Sequence, residues 1–550
     1  MRQQGQQGQQ GQRKANGAAR RSAAGSGRAR GLSAVALPVL AIGLMGHACP
    51  IVEPPARGES PMRAAACSEV ITPVVGENHS DPIYMAGFGN DRQATGVHDE
   101  LSARGIVIES EGTKVALVTL DLVGYFNNEV QTIRSLVDPA RGFDAIVVSS
   151  THNHEGPDTM GLWGPDELTS GVDQGYLDFV NDSVVACIEA ADDALAPAAI
   201  RFATGTTEGA SLEPWPGLVA DGKVLQELVI DLTSFGEGIL YKEGDPGPIL
   251  NTSVPTLQLA HYRSLRERAR EVWHWLFHPW ESFPDLRPLG DVIATVVNFA
   301  SHPESLGSDN TLLTADFPHA MREALEDVFG GVAIYVSADL GVLQGPLDVD
   351  LDDPETGDPI PRRTFEFADE MGRRLAERAA SALTANLRWS AAPAIDVAAS
   401  GPFFLEVENP YFQAFGTLGL FGRRAIETQD GLLGITTEVQ VLRIGDATLV
   451  VTPNELDPQI GDLYRERIGE ASAHRFTIGL GNDELGYQMP EAKFNPSCFK
   501  CFLEVLAGME ERCVLADTLD CGTTMQNNIG PGADPVFQEK IATLIDQVHP

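Results

Sequence analysis

Residues 145–157, AIVVSSTHNHEGP, contain the pattern on which the fold and function predictions depend. The apolar run 145–149 predicts a buried strand, and polar residues follow it directly. In α/β folds, functional side chains usually lie just past the carboxyl ends of strands. Side chains of an extended chain alternate with period two, so His152 and His154 point to the same side, as metal binding requires. The pair is moderately specific, because two loop histidines without a ligand give the same pattern.

The rest of the chain alternates short β-branched runs with amphipathic helical stretches. This alternation predicts an α/β fold of mixed β-sheets flanked by helices. The hydrophobic content of 43% in 550 residues supports a large core. Strands are predicted at 115–120, 145–149, 292–299, 332–337, 448–451 and 476–480, and helices at 317–329, 364–385 and 458–468.

Three more of the predicted strands lead into side chains that hold metals in proteins. Strand 292–299 is followed by His302, strand 448–451 by Glu455, and strand 476–480 leads through a short loop to Tyr487. Nitrogen and oxygen donors of this kind suit Zn²⁺, which lowers the pKa of a bound water to about 7. The sequence therefore predicts a zinc site, although other metals also use such donors.

Several segments, taken together and in order, resemble one enzyme family. Over residues 69–495 the chain carries Ile71-Thr72-Pro73, Ala86-Gly87-Phe88-Gly89, Gly96-Val97-His98, SSTHNHEGP, NFASHPESL followed by Thr314-Ala315-Asp316, PNELDPQIGDLYRERI and GLGNDELGY. This series resembles the catalytic domain of the neutral/alkaline, non-lysosomal ceramidases. The resemblance covers most of the chain that follows the N-terminal segment.

The resemblance implies a site with assigned roles. It implies that His154 lines the site and orients water or substrate, and that Asp316 occupies a family position. Asp316 also precedes Phe317-Pro318 at a predicted helix start, so an N-cap role explains it equally well. In the family a catalytic zinc is held by two histidines, a glutamate and a tyrosine, which correspond here to His152, His302, Glu455 and Tyr487.

The chain departs from the family pattern at two places. Ceramidases carry Gly-Asp-Val-Ser-Pro-Asn with an active-site serine, whereas this chain reads ADLGVLQGP at 338–346. Ceramidases also carry Asn-Arg-Ser-Pro, whereas this chain reads SLEP at 211–214. The serine and the arginine have no counterparts, and we expect no C-terminal immunoglobulin-like domain. Metal binding is therefore better supported than hydrolysis of ceramide itself.

The leading hypothesis is a zinc-dependent hydrolase of a linear amide, such as an N-acyl lipid. Metal-activated water would attack the acyl carbon, with His154 or Asp339 as the proton shuttle. Asp339 is the weaker assignment, because an aspartate after a strand is also a common turn residue. A second hypothesis is an amidohydrolase barrel, which needs lysine or histidine and an aspartate as further ligands on later strands. The later strands here lead to glutamate and tyrosine instead, which argues against it. Metallo-β-lactamase-type enzymes need Asp-His shortly after the histidine pair, where this chain has Gly156-Pro157. A third hypothesis is an exported protein that keeps the zinc site but binds a ligand without catalysis.

The charge balance limits the classes of partner. The chain has 77 acidic residues against 39 Lys and Arg, for a formal charge of −38. Such a surface repels the phosphates of nucleic acid and of anionic lipids, so we expect neither as a partner. A small-molecule or lipid-like amide is the expected partner.

The N-terminal 48 residues predict an exported protein. A Gln/Gly repeat and a basic stretch, expected to be disordered, precede the apolar run 32–46, which is too short to span a bilayer comfortably. This is the layout of a secretory signal, and no other segment predicts a membrane span. The protein is then periplasmic, secreted or, through Cys49, lipid-anchored.

Beyond the signal, the sequence predicts three regions. A linker rich in Pro, Gly and Ala occupies residues 49–68, and the metallohydrolase domain spans 69–495 with an insertion at 236–290. Residues 496–550 form a segment rich in cysteine, for which two disulfides are more typical of an exported protein than a metal site. Its cysteines are Cys498, Cys501, Cys513 and Cys521.

Overall fold

The computed structural model describes residues 50–206, 251–278, 280, 282–341, 350–354, 356–491, 494 and 527–550. The predicted signal, Cys49, residues 211–214 and the four C-terminal cysteines lie outside these residues. Among the described helices, none is both long and apolar enough to cross a membrane.

The strands and helices of the described residues confirm the predicted mixed α/β class. The strands are β1 (Ile51–Glu53), β2 (Arg63–Val70), β3 (Gly96–Val97), β4 (Ser102–Ser110), β5 (Thr113–Leu120), β6 (Ala145–Ser150), β7 (Ala196–Thr206), β8 (Ser253–Tyr262), β9 (Leu289–Phe299), β10 (Leu312–Leu313), β11 (Val332–Ser337), β12 (Arg388–Ser390), β13 (Ile395–Ala399), β14 (Phe403–Glu406), β15 (Glu427–Gln429), β16 (Leu432–Thr437), β17 (Gln440–Ile444), β18 (Ala447–Val451), β19 (Glu455–Leu456), β20 (His474–Ile478) and β21 (Tyr487–Gln488). The helices are α1 (Asn127–Leu136), α2 (Gln174–Asp193), α3 (Leu265–Phe277), α4 (Phe317–Phe329), α5 (Phe365–Ala385), α6 (Pro410–Leu418), α7 (Pro458–Ile468) and α8 (Ala533–Val548).

Two mixed sheets form the centre of the fold. The larger follows the order β11-β9-β8-β7-β2-β4-β5-β6, with β1 and β12 joined to it beside β7. In it, β5 runs parallel to β6 and β9 parallel to β11, while the other neighbours on this path are antiparallel. The smaller sheet has the order β13-β17-β18-β20. The edge strands β11 and β6 of the larger sheet also contact each other, so that sheet curls.

Alternating side chains place each sheet between two apolar layers. In β4, Ile106 packs with residues of the smaller sheet, whereas its neighbour Val107 packs with helix α2. In β18, Leu449 faces the larger sheet and Val450 faces helices α7 and α8. This is the period-two burial expected of strands covered on both faces. The layers are therefore helices, sheet, sheet and helices.

The predicted elements agree closely with the observed ones. Helices α4 and α7 match the predicted residues one for one, and the predicted helix 364–385 becomes α5 with Thr364 as its N-cap. The Thr364 side chain accepts a hydrogen bond from the Phe367 amide, which satisfies one free donor of the first turn. All six predicted strands are present, and no end is shifted by more than three residues.

Strands or helices of the structure lie within three of the predicted regions. Strand β2 begins at Arg63, within the predicted linker, and β8 lies within the predicted insertion at 236–290. Between β8 and β9, the described residues of that predicted insertion carry α3. Pro255 hides β8 in the sequence, because proline is rare in central strands. Helix α8, within the segment predicted as rich in cysteine, packs in the core against the smaller sheet.

A disulfide joins the larger sheet to a helix. Cys67 of β2 is bonded to Cys187 of α2 across 120 residues of sequence. The sequence prediction of disulfides concerned other cysteines, since nothing local to Cys67 and Cys187 indicates that they meet. Disulfides of this kind persist in oxidising compartments.

Candidate metal centre

Hydrogen bonds gather the ends of several strands at one point. The Asn482 side chain accepts a hydrogen bond from the Val148 amide at 3.0 Å, and the Asn482 amide donates to the Val148 carbonyl at 2.6 Å. The loop after β20 is thereby fastened to β6. The Ser337 hydroxyl, at the end of β11, donates to the Thr151 carbonyl at 2.7 Å. The loops that carry the predicted site residues therefore converge.

His152 lies in the left-handed region of backbone conformation, with φ of 63°. Its Nδ1 lies 2.7 Å from the Val123 carbonyl oxygen. A carbonyl only accepts, so Nδ1 carries the proton and Nε2 faces the centre. A second contact of this kind fixes the ring orientation of metal-ligating histidines. Non-glycine residues in this region cluster at functional sites, and Leu480 and Asn482 beside the centre share it.

Glu455 lies between two imidazoles. Its Oε2 is 3.0 Å from Nε2 of His302 and 3.4 Å from Nε2 of His152, and all three side chains are buried. Burial raises the pKa of the Glu455 carboxyl, but the charges and hydrogen bonds of His152 and His302 outweigh it and hold the pKa well below its usual range. The carboxylate is therefore ionised and directed at the two rings.

Tyr487 reaches the same point through a short parallel pairing. Strands β19 and β21 pair Glu455 with Tyr487, and the Glu455 amide donates to the Gly486 carbonyl at 3.0 Å. The Tyr487 ring lies 6.5 Å from the His302 ring, measured between the ring centroids. Burial and the charge of Glu455 raise the pKa of the phenol well above its usual value. The structure thus brings His152, His302, Glu455 and Tyr487 together.

His154 supplies a third imidazole. Its ligand atoms and those of His152 and His302 all lie within 4.8 Å of one another, which makes the three a candidate metal group. Burial lowers the pKa of His154 well below its usual value, and the charges of His152 and His302 lower it further. Gly87 makes room for this ring, since a Cβ there would lie 2.3 Å from His154 Cγ. Imidazole nitrogens and carboxylate oxygens, which zinc binds in proteins, are therefore buried together at this centre.

A mainly apolar cavity of about 130 Å³ opens beside these donors. His152, His154, Glu455 and Tyr487 line one part of it. The remaining wall is dominated by apolar side chains, among them Val123, Phe126, Met160, Trp163, Phe421 and Ile435. An apolar cavity with a few polar groups at one place is typical of a small-molecule site. The arrangement suits an apolar chain attached to a polar group at the metal donors.

Comparison with solved structures places the fold. Neutral ceramidase from Pseudomonas aeruginosa superposes with a TM-score of 0.58 over 89% of this chain and 74% of its own, at 17% identity. The fold is that of neutral ceramidase. A ceramidase complexed with C2 superposes with a TM-score of 0.57 over 89% of this chain and 75% of its own, at 16% identity. No protein-family model and no curated protein matches the sequence.

Asp339, the other predicted proton shuttle, is engaged elsewhere in this ceramidase fold. Its Oδ2 accepts a hydrogen bond from Arg465 at 2.9 Å, and its Oδ1 accepts one from the Asn251 amide. It is absent from the described lining of the cavity. These contacts favour a structural ion pair over proton transfer.

The sequence reasoning missed two charged residues of the site. Arg92 donates hydrogen bonds to the carbonyls of Ala86 and His154 and so fixes the backbone of the loop that carries His154. Glu484 lines the cavity, and burial together with the charge of Glu455 raises the pKa of its carboxyl well above the usual value. Glu484 lies in the quoted segment GLGNDELGY, but only the fold brings its side chain into the cavity.

Asp316 lies behind the centre and gives a pH-dependent prediction. It caps α4, accepting a hydrogen bond from the Phe317 amide and another from the Ser305 hydroxyl, each at 2.6 Å. Burial raises the pKa of Asp316 to about 7, although these hydrogen bonds oppose the change. The folded state therefore binds this proton more tightly than the unfolded state. Its contribution to stability is present at low pH and is lost as the pH rises from about 4 to 7.

We expect Asp316→Asn to flatten the pH dependence of stability, because asparagine also caps helices but does not titrate. Between pH 5 and pH 8 the free energy of unfolding of the wild type should fall relative to the variant by on the order of 2 kcal/mol. Urea denaturation at the two pH values measures this difference. Parallel pH profiles for the two proteins would contradict the prediction.

Proposed function

We propose that this chain is a zinc-dependent hydrolase that cleaves a linear amide with an apolar acyl chain. The observation that carries the proposal is the meeting of His152, His302, Glu455 and Tyr487 beside a mainly apolar cavity, which all of them except His302 line. In the ceramidase resemblance these positions are the zinc ligands. A bound zinc would supply an activated water and polarise the acyl carbonyl.

The chain's own residues account for binding and orientation. The apolar wall would hold the acyl chain and exclude water from it, which favours an amphiphilic substrate such as an N-acyl lipid. His154 faces the same cavity and would orient water or the carbonyl group. Ceramide is one member of this class of substrates. The proposal is not restricted to ceramide, because the family serine and arginine have no counterparts in the sequence.

We also propose that the protein acts outside the cytoplasm, as the N-terminal pattern predicts. The Cys67–Cys187 disulfide supports an oxidising compartment. The formal charge of −38 disfavours nucleic acid as a partner.

The alternative is a non-catalytic protein that keeps the metal site and binds an amphiphile. The absence of the serine and arginine from the sequence favours this alternative, whereas the retained donors favour the enzyme. The two are separated by turnover, because both predict a metal and an apolar ligand.

The test combines metal analysis of the purified protein with a panel of N-acyl amides and esters of increasing chain length. We expect about one zinc ion per chain and hydrolysis of long-chain amides. Removal of the metal by a chelator should abolish turnover, and added zinc should restore it. Zinc without turnover of any panel member would support the binding protein, and a protein purified without any metal would refute both.

A further inference from the structure

The two carboxyl oxygens of Glu484 have different surroundings. The side chain is 2% exposed. Its Oε1 accepts a hydrogen bond from the Gly486 amide at 2.8 Å, whereas its Oε2 is buried without a hydrogen-bond partner among the residues that the structure describes. An unsatisfied buried polar atom destabilises the folded state and calls for an explanation. Glu484 lines the cavity, so a ligand there can satisfy this oxygen.

The fold makes space for Glu484 close to the metal donors. A Cβ on Gly124 would lie 2.5 Å from Glu484 Cγ and 2.6 Å from Met160 Sδ. The Glu484 side chain therefore packs against the backbone at Gly124, where only glycine leaves enough space. Gly124 directly follows Val123, whose carbonyl holds the His152 ring. The free carboxyl oxygen and the donor histidine are therefore positioned by the same turn of chain.

Three other acids near the centre are paired with basic side chains. Glu455 contacts His152 and His302, and Asp339 pairs with Arg465. Asp483 accepts two hydrogen bonds from Arg424, at 2.8 and 2.9 Å. Among the described carboxyl groups that line the cavity, Glu484 alone presents a buried oxygen without a partner.

We propose that Glu484 is the residue that transfers the proton during amide cleavage. As the oxygen of the attacking water bonds to the acyl carbon, a water proton moves to Oε2. The proton then passes to the amide nitrogen as the C–N bond breaks, which releases a carboxylic acid and an amine. This role rests on the proposed hydrolase function and assigns to Glu484 what the sequence analysis assigned to His154 or Asp339.

Substrates with different leaving groups test the role. An aliphatic amine leaves only with a proton on its nitrogen, whereas 4-nitrophenolate leaves without one. For Glu484→Gln we expect kcat on a long-chain N-acyl amide to fall by about a hundredfold. The 4-nitrophenyl ester of the same acyl chain should lose less than about threefold, KM for both should stay unchanged, and Glu484→Asp should recover part of the amide activity. The exposed acid Glu323 gives the matched control Glu323→Gln, which should leave both rates unchanged.

Two further measurements separate proton transfer from a structural role. Glu484→Gln should keep the metal content of the wild type, and its metal-free form should melt at the same or a higher temperature, because Oε2 makes no hydrogen bond with any described residue. Equal loss on amide and ester, or a lower melting temperature, would overturn the proposal. An unchanged amide rate beside metal-dependent ester hydrolysis would overturn Glu484 alone, whereas a wild type inactive on both substrates would overturn the hydrolase function and this proposal with it.

Discussion

In His302→Ala we expect the metal content to fall from about one ion per chain to less than about a tenth, and hydrolysis to fall by about a thousandfold or more. His302 Nε2 lies 3.0 Å from Glu455 Oε2, so its loss removes one donor and the contact that orients a second. Removing one preorganised donor in an active site costs about 10²- to 10³-fold, and loss of the activating metal should exceed this. Metal analysis and initial rates on the purified variant measure both effects.

His154→Ala distinguishes the two donor sets that the structure offers. If the metal is held by His152, His302, Glu455 and Tyr487, His154→Ala should keep the metal and lose rate. If the three histidines hold it, His154→Ala should lose the metal as His302→Ala does. The exposed His274 of α3 provides the control His274→Ala, which should keep metal and activity. A His302→Ala protein with full metal content would refute both donor sets.

The parts of the site that follow strands could be predicted from the sequence. Residues 145–150 are apolar or small, and His152 follows two residues later. The same pattern precedes His302 and Glu455. Local periodicity determines such elements, because a buried strand needs apolar residues whatever it packs against. The donors follow from the strand ends, and the family resemblance then selects among them.

The parts that depend on tertiary contacts could not be predicted in this way. The roles of Asp339 and Glu484 differ in the structure because Arg465 and Asn251 hydrogen-bond Asp339, while none of the described residues hydrogen-bonds Oε2 of Glu484. Both residues are acids that follow strands in the sequence, so local pattern gives no way to separate them. Strand β8 could not be predicted for a related reason, since only the folded sheet shows that Pro255 pairs with Thr204 of β7.

The largest stability effect is expected at a buried ion pair below the centre. Arg322 of α4 is 2% exposed, and its Nη1 lies 2.9 and 3.0 Å from the two carboxylate oxygens of Asp121, which is 0% exposed. Asp121 also accepts hydrogen bonds at 2.8 Å from the amide and the hydroxyl of Ser102. Asp121 precedes the turn that carries Val123, so the pair ties α4 to the chain that orients His152.

Arg322→Met should therefore lower the free energy of unfolding by about 3–5 kcal/mol, because it leaves a carboxylate buried without its counter-charge. Adding Asp121→Asn should recover part of the loss, since the double variant buries no charge at this place. The matched control is Arg467→Met, which breaks an exposed pair with Asp546 and should leave the unfolding curve unchanged. Equilibrium denaturation of the wild type, Arg322→Met, Asp121→Asn and the double variant measures the cycle, and Arg467→Met is measured beside them. Equal small losses in Arg322→Met and Arg467→Met would mean that the buried pair does not support the fold, and the tie between α4 and the His152 turn would then have to come from apolar packing alone.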